Sequence, residues 1–290
     1  MPAPITIAHL SDLHLTAQDN EKRTGPGRLK GMNRNFARLM QDRKLLESDY
    51  IIVTGDITDR GYIAAWRRFW DEVNKAGVLH KIIVVPGNHD MCSLRLIRNI
   101  PTEESRAMAE HGLALGGQPT VFPWAKSVEN RTIAFFGLNS NNEGNTLITA
   151  NAIGKLGFEQ LYKLGRMLSE EYADVPIKLL LLHHSPNIPE VATSERRHEK
   201  PTYYLERNTI ELDKHDRRQL RLLCRVFRIK AILHGHTHNP LNRTVNGVRI
   251  ISAPPSTEPD KDGFLHYFRY TISPGTGRLS YSTVKVEAPK

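Results

Sequence analysis

Aspartate, asparagine and histidine residues gather in five short motifs along this chain of 290 residues. The motifs are Asp12-Leu13-His14, Gly55-Asp56-Ile57-Thr58-Asp59, Gly87-Asn88-His89-Asp90, His183-His184 and Gly235-His236-Thr237-His238. Carboxylate and amide oxygens combined with imidazole nitrogens suit manganese, iron, zinc and related ions. Asp56 is a natural bridge, because a carboxylate has two oxygens and can join two cations. The motifs together predict a site for two divalent metal ions.

Each motif follows a run of apolar residues that are often β-branched. Examples that include the motif residues are IIVTGD, KIIVVPGNHD, IKLLLLHH and KAILHGHTH. Such runs are typical of buried parallel strands, and open α/β sheets bind their ligands at the C-terminal ends of those strands. Because side chains alternate along a strand with a period of two, we expect Asp12 and His14 to share one face. The same reasoning joins His236 and His238.

Paired polar residues at strand ends are common, so a single D-x-H or H-x-H motif is weak evidence for a metal site. The alternative, that these residues only cap or turn the chain, would have to hold at every strand end at once. Asp90 has two interpretations that the sequence leaves open, which are support of a metal ligand and a simple role in a turn. His9 and His234 lie in or beside strands and are predicted to be core histidines.

The first ninety residues alternate strand and helix. Strands are predicted in PITIAHL, DYIIVTGD and KIIVVPG, and helices over 33–47 and 63–76. That order predicts right-handed βαβ crossovers and a parallel sheet. Further along the chain we expect a helix over 102–111, a hairpin that turns at Glu129-Asn130, a helix over 157–172, a strand in VPIKLLLL and a long loop over 185–208.

The chain after His238 has an all-β pattern. Asn246-Gly247 lies between alternating apolar residues, which is the strongest short hairpin signal. The segments GFLHYFRYTI and GRLSYSTVKVE are predicted to complete a second sheet. We find no repeat, low-complexity run or linker, so we expect one domain over residues 1–290.

The composition is that of an ordinary globular protein, with 39% apolar and 24% charged residues. No stretch approaches the roughly 18 apolar residues of a membrane span, and the amino terminus lacks the pattern of a secretory signal. Cys92 and Cys224 are too few for a disulfide framework, and Cys224 is predicted to be a packed core thiol. We therefore expect a cytoplasmic protein.

The net charge of +9 has several interpretations. An anionic substrate, nucleic acid or an acidic membrane surface would each favour it, and a solvated basic surface with no dedicated partner explains it equally well. The segment KHDRRQLRLLCRVFRIK carries part of the excess, with apolar residues near helical spacing at Leu220, Leu223, Val226 and Phe227. A helix that covers the sheet explains this pattern, and membrane contact is a minor alternative.

The set D-x-H, G-D-x-x-D, G-N-H-D, H-H-x-P and G-H-x-H resembles the calcineurin-like metallophosphoesterases, from Asp12 to His238. The contexts LSDLHL and LHGHTHN are most similar to the bacterial branch of cyclic-nucleotide and glycerophosphodiester phosphodiesterases. The resemblance implies an α/β fold in which a two-sheet β-sandwich is flanked by helices. It implies two metal ions of uncertain identity (manganese, iron or zinc), one held by Asp12, His14, Asp56 and His238, the other by Asp56, Asn88, His183 and His236.

The resemblance also implies a mechanism in which two cations clamp the phosphoryl group and a bridging hydroxide attacks phosphorus. His89 is then predicted to protonate the leaving oxygen or to stabilise charge on the phosphate. Asp59 resembles the family aspartate that orients this histidine, and Arg60 matches a phosphate-binding arginine of the protein-phosphatase branch. His184 either points away from the metals or lines the substrate pocket, and we assign it to substrate binding.

These inferences predict a metal-dependent phosphodiesterase that acts on a cyclic nucleotide, a glycerophosphodiester or a lipid-linked phosphoester. A phosphomonoesterase would use the same metal centre, and a non-catalytic scaffold or a DNA nuclease are less favoured alternatives. We infer no dedicated nucleic-acid partner, and the oligomeric state stays open. Substrate choice is assigned to the loops over 17–32 and 185–208.

Overall fold

The computed structural model of the protein describes residues 3–23, 29–91, 102–141, 154–186, 212–245 and 247–289. In these ranges the chain forms two mixed β-sheets that pack against each other and carry helices on their outer faces. The predicted two-sheet sandwich flanked by helices is confirmed. No helix in the described ranges is both long enough and apolar enough to cross a membrane.

Eleven strands in the described part of the chain build the two sheets. In chain order they are β1 (Ile5–Leu10), β2 (Tyr50–Thr54), β3 (Ile82–Val85), β4 (Trp124–Val128), β5 (Ile133–Gly137), β6 (Ile177–Leu181), β7 (Ala231–His234), β8 (Leu241–Val245), β9 (Val248–Ser252), β10 (Phe264–Ser273) and β11 (Arg278–Glu287). The first sheet has the order β11-β10-β1-β2-β3, and the second has the order β4-β5-β6-β7-β9-β8. Strands β1, β2 and β3 are parallel as predicted, and so are β5, β6, β7 and β9.

The helices cover the outer faces of the sheets. They are α1 (Met32–Leu39), α2 (Arg43–Leu46), α3 (Ile63–Lys75), α4 (Asn88–Met91), α5 (Thr102–Leu115), α6 (Phe158–Arg166), which continues as a π-helical turn (Met167–Glu171), and α7 (Lys214–Val226). The single helix predicted over 33–47 is wrong, because the chain breaks it before Asp42. The Asp42 side chain accepts a hydrogen bond from the backbone N–H of Leu45 and so begins α2 as its N-cap.

Three apolar clusters correspond to the three interfaces between the layers. Ile7 and Ile52 of the first sheet meet Leu179 and Leu233 of the second in the central cluster. Trp66 and Phe69 of α3 pack on the outer face of the first sheet. Helix α7 packs on the second sheet through Leu220 and Cys224, so the predicted core thiol is confirmed.

The C-terminal strands are distributed between the two sheets, and the prediction that they complete a separate second sheet is wrong. The predicted hairpin at Asn246-Gly247 forms between β8 and β9, although Asn246 itself lies outside the described residues. Strand β10 instead pairs antiparallel with β1, and Tyr270 lies opposite Ile7. Both faces of β10 are apolar, with Tyr267 under the helices and Tyr270 between the sheets, so the strand suits the interior of the first sheet.

Candidate metal centre

The motif residues follow the C-terminal ends of five parallel strands, β1, β2, β3, β6 and β7, at one rim of the sandwich. Backbone hydrogen bonds tie the turn after β1 to the turn after β2. The N–H of Asp12 donates to the carbonyl of Gly55 (3.1 Å), and the N–H of His14 donates to the carbonyl of Asp56 (2.9 Å). Both sheets therefore contribute side chains to the same site.

The reason that we gave for the convergence of Asp12 with His14, and of His236 with His238, is wrong. Strand β1 ends at Leu10 and β7 ends at His234. The alternation of side chains along a strand therefore does not determine where these four side chains point. They lie in turns where the backbone is left-handed, with φ of 53° at Asp12, 46° at His14, 69° at His236 and 50° at His238. Asp56 shares this conformation, with φ of 51°. Such conformations cost free energy and cluster at functional sites.

Close packing accompanies these turns. A Cβ added at Gly235 would lie 1.8 Å from Ser11 Oγ and 2.7 Å from Asp12 Oδ2. A Cβ at Gly87 would lie 2.2 Å from Asp56 Oδ1. Only glycine fits either position, because any side chain would displace a carboxylate of the site.

One group of potential ligands comprises Asp12, His14 and His238, whose ligand atoms all lie within 4.8 Å of one another. His238 Nε2 lies 3.3 Å from His14 Nε2 and 3.5 Å from Asp12 Oδ1. A second group comprises Asp56, His183 and His236, and a third, formed by His14, Asp56 and His89, overlaps both. His183 Nε2 lies 3.3 Å from Asp56 Oδ2 and 3.1 Å from His236 Nδ1.

Asn88 and Asp56 complete the arrangement. Asn88 Oδ1 lies 3.0 Å from His183 Nε2, which brings the predicted amide ligand to the second group. Asp56 Oδ2 also lies 3.8 Å from His14 Nε2, so this carboxylate lies between the two groups. The structure thus brings all seven predicted metal ligands close together, and their division between two cations stays a prediction.

The protonation of the site fits divalent cations. Burial lowers the pKa of His14 well below its usual value and that of His236 to about 3, so both rings are neutral. Burial alone would raise the pKa of Asp12 and Asp56, but the imidazoles of His238 and His183 outweigh it and hold both values low. Neutral imidazoles, ionised carboxylates and an amide oxygen form a suitable donor set for a divalent metal.

The other two imidazoles carry a proton in the metal-free protein at neutral pH. Burial alone would lower both pKa values, but Asp56 raises the pKa of His183 to about 9 and Asp12 raises that of His238 to about 10. The raised pKa values show that the carboxylates attract positive charge to this site. Each ring must lose its proton before its nitrogen can bind a cation.

His89 lies at the edge of the metal centre. Its backbone N–H donates to Asp56 Oδ1 (2.9 Å), and its ring meets that of His14 edge-on at 4.7 Å. Its Nδ1 lies 2.9 Å from the main-chain oxygen of Asp59 and 3.9 Å from the carboxylate. Asp59 therefore contacts His89 mainly through its backbone, and its carboxylate lies between His89 and Arg60, whose Nε is 3.4 Å away.

His184 is fully buried, and the substrate contact that we predicted for it stays a prediction. Its Nδ1 lies 2.7 Å from Ser140 Oγ, and its ring lies 4.4 Å from that of His236. Asp90 is also buried, and its carboxylate accepts hydrogen bonds from the backbone N–H groups of Thr58 (2.8 Å) and Gly87 (2.8 Å). Asp90 thus ties two ligand-bearing turns together, which supports the first of its two interpretations.

The sequence did not point to Glu258, which also reaches the metal centre. Its Oε1 lies 3.0 Å from His238 Nδ1 and forms an ion pair with Arg23. Glu258 lies in the segment STEPDKD, which contains no recognisable motif, and neighbours His238 only through the fold. Neither spacing nor composition could have identified it.

Comparisons with known proteins agree with this geometry. The family model described as calcineurin-like phosphoesterase matches residues 5–240. The 3',5'-cyclic adenosine monophosphate phosphodiesterase CpdA of Vibrio vulnificus is 24% identical over 284 residues, which cover 95% of this chain and 85% of that protein. The CpdA of Escherichia coli is 25% identical over 278 residues, covering 94% and 84% of the two chains.

Solved structures show a similar fold. A dimetal phosphatase from Danio rerio superposes with a TM-score of 0.61 at 14% identity and covers 99% of this chain and 100% of its own. The phosphopantetheinyl hydrolase PptH of Mycobacterium tuberculosis superposes with a TM-score of 0.51 at 17% identity. The match covers 89% of this chain and 92% of that protein. The family match implies bound divalent metal ions, and the buried aspartates and histidines provide clusters that suit them. The chain belongs to the calcineurin-like phosphoesterase family and is a metal-dependent phosphoester hydrolase.

Proposed function

We propose that this enzyme is a phosphodiesterase with a centre of two divalent cations, and that its substrates are cyclic nucleotides. The observation that carries the proposal is the pair of ligand groups that meet at Asp56. Among the substrate classes that the sequence left open, cyclic nucleotides are favoured because the CpdA proteins are relatives along almost the whole chain. Glycerophosphodiesters and lipid-linked phosphoesters become the alternatives.

Each cation has its own set of ligands in this proposal. Asp12, His14, Asp56 and His238 hold the first, and Asp56, Asn88, His183 and His236 hold the second. Manganese, iron and zinc all suit this mixture of oxygen and nitrogen ligands. When bound, such a pair would acidify a water molecule and neutralise charge on the phosphoryl group.

The side chains around the centre have distinct tasks. His89 is partly exposed at 21%, so its ring can reach a bound ester and protonate the leaving oxygen. The Asp59 backbone carbonyl accepts from His89 Nδ1 and so orients the ring, and Nε2 of the imidazolium form would donate the proton to the leaving oxygen. Arg60, 31% exposed and 3.4 Å from the Asp59 carboxylate, is positioned to bind a phosphate oxygen.

The substrate role of His184 stays a proposal, and its burial beside His236 favours support of that ligand. A non-catalytic scaffold is disfavoured, because every ligand position and His89 are present and converge. A phosphomonoesterase is the main rival, since the metal centre itself does not distinguish the two reactions. A DNA nuclease has no specific observation in its favour.

A substrate panel tests the proposal. Protein loaded with manganese would be assayed against 3',5'-cyclic AMP, glycerophosphocholine, bis(p-nitrophenyl) phosphate and p-nitrophenyl phosphate, with Asp56→Asn as the inactive control. We expect the highest kcat/KM for cyclic AMP and no turnover by the control. Preference for the monoester would assign a phosphatase, and inactivity with manganese, iron and zinc alike would overturn the proposal.

The remaining predictions concern the whole chain. A single domain over residues 1–290 is supported by the pairing of β10 with β1, which joins the two ends of the chain in one sheet. Cytoplasmic location stays a prediction that rests on the cysteine content. Membrane contact stays a minor alternative. It is supported by the apolar side chains of Leu222 and Val226 on α7, which are 56% and 61% exposed.

A further inference from the structure

His238 is held from both sides of its ring. Nε2 faces Asp12 and His14 at 3.5 and 3.3 Å, which is where the first cation would bind. Nδ1 lies 3.0 Å from Glu258 Oε1. A neutral imidazole has one N–H, so a ring that donates from Nδ1 to a carboxylate presents the lone pair of Nε2 to a metal.

Several contacts fix Glu258 in place. Arg23, only 7% exposed, forms an ion pair with the Glu258 carboxylate, which is 17% exposed. The backbone next to Glu258 is also anchored, because Thr257 Oγ1 donates to the carbonyl of Leu13 (2.7 Å) and Asn35 Nδ2 donates to the carbonyl of Thr257 (2.8 Å). The chain segment that carries Glu258 is therefore anchored to the turn that contains Asp12 and His14.

We propose that Glu258 is a positioning residue for His238, and that Arg23 holds Glu258 in the required orientation. Carboxylates that accept from the second nitrogen of a metal-binding histidine fix its tautomer and ring angle and raise its basicity as a ligand. The inference rests on the proposed function, since it assigns Glu258 to the first of the two cation positions. Glu258 acts through His238 and does not contact substrate.

Metal affinity tests this role without reference to catalysis. Manganese binding to metal-free protein would be titrated by electron paramagnetic resonance for the wild type, Glu258→Ala, Glu258→Gln and the exposed control Glu159→Gln. We expect Glu258→Ala to weaken one manganese site about 10–100-fold and leave the other unchanged. Glu258→Gln keeps a hydrogen-bond acceptor, so its manganese affinity should fall less. Arg23→Met should also weaken manganese binding at the same site.

The tautomer of His238 provides a second readout. Nitrogen-15 NMR of the zinc-loaded wild type should show a proton on Nδ1, and Glu258→Ala should lose that fixed state while circular dichroism confirms a folded protein. Two unchanged manganese sites together with an unchanged tautomer in Glu258→Ala would overturn the proposal. Normal manganese binding with no hydrolysis of any ester would instead count against the proposed function alone.

An independent observation lies at the opposite end of β7. Among the described residues, a cleft of about 720 Å³ is lined by no acidic side chain and by five basic ones, namely Arg225, Arg228, Lys230, Arg249 and Arg278. The dipole at the C-terminus of α7 favours Arg225 and Arg228 there. It does not account for Arg249 of β9 or Arg278 of β11, which come from other elements.

Arg249 is held rigidly in this cleft. Its Nε donates to Asn242 Oδ1 (2.9 Å) and its Nη1 to the carbonyl of Leu279 (2.6 Å). Basic side chains that line one cleft raise its positive potential and so attract anions, and guanidinium groups match phosphate oxygens in geometry. We infer that this basic cleft binds a small anion with several phosphate groups, because its volume lies within the usual range for small-molecule pockets.

Tripolyphosphate is the probe for this second site. Calorimetry would use Asp56→Asn protein without metal, so that the metal centre does not compete. We expect Arg228→Ala/Arg278→Ala to bind at least about tenfold more weakly than the parent. The pair Arg43→Ala/Arg166→Ala removes the same charge elsewhere, and equal weakening by both pairs, or no binding by the parent, would overturn the inference.

Discussion

His89 joins the reaction site to its surroundings through two separate bonds. Its backbone N–H holds Asp56, and its ring is held by the Asp59 carbonyl. The backbone bond survives any change of side chain, so the ring can be removed with little effect on the carboxylate. The sequence could identify His89 from its motif, but it could not distinguish a bond to the Asp59 backbone from one to the Asp59 carboxylate.

Replacement of His89 by alanine should therefore affect chemistry and leave metal binding intact. We expect kcat for cyclic AMP to fall about 10²–10⁴-fold, because its alkoxide leaving group needs a proton. Bis(p-nitrophenyl) phosphate has a leaving group that needs no proton, so its kcat should fall much less. Steady-state kinetics on both esters checks this, and equal losses would rule out proton donation by His89.

Metal binding should release protons from two specific rings. In the metal-free protein the raised pKa values of about 9 for His183 and about 10 for His238 keep both rings protonated at pH 7. Only neutral rings bind a cation, so metal loading must displace these protons, and affinity should fall as pH falls below that range. Calorimetry in buffers of different ionisation enthalpy measures the release, and a value near zero would contradict the assignment.

At the scale of elements, turns rather than strands position the ligands. Apolar runs in the sequence predicted the strands, and their C-terminal ends predicted the rim. The left-handed conformations at Asp12 and His236 could not be predicted, because they depend on bonds between turns such as that from Asp12 to Gly55. The break before Asp42 was missed for a related reason, since Asp42 is fixed by Tyr267, 225 residues away.

Gly235 gives a direct test of this packing. Gly235→Ala would push a methyl group onto Ser11 and the Asp12 carboxylate, and overpacking of this kind costs about 1–3 kcal/mol or more. We expect a lower Tm and loss of bound metal. Gly275→Ala is the matched control, because a Cβ there meets nothing within 4 Å. Thermal unfolding and metal analysis of both variants check the prediction, and identical behaviour would refute the packing argument.

At the scale of the whole molecule, the two sheets share one core and one metal rim, so metal and fold should be coupled. The local sequence pattern identified the strands of the C-terminal region but not their partners, because pairing between β10 and β1 spans most of the chain. The position of Glu258 beside His238 likewise depends on long-range contacts, such as the hydrogen bond from Thr257 to Leu13.

We expect one cooperative unfolding transition that shifts upward with manganese. Ligand binding to the folded state alone adds about 4 kcal/mol at a concentration a thousand times the Kd. Calorimetric scans with and without manganese measure the shift, and Asp56→Asn serves as the control that should not respond. Two separate transitions would contradict the single-domain prediction.

The central place of β1 in its sheet has a consequence for synthesis on the ribosome. β1 is made long before β10, which is one of its two neighbours and ends at Ser273. Until that strand emerges, one edge of β1 stays open to other chains, and His238 lacks Glu258. The nascent chain therefore carries an unpaired edge while the residues between β2 and β10 are synthesised, a period in which chaperones would protect it from aggregation.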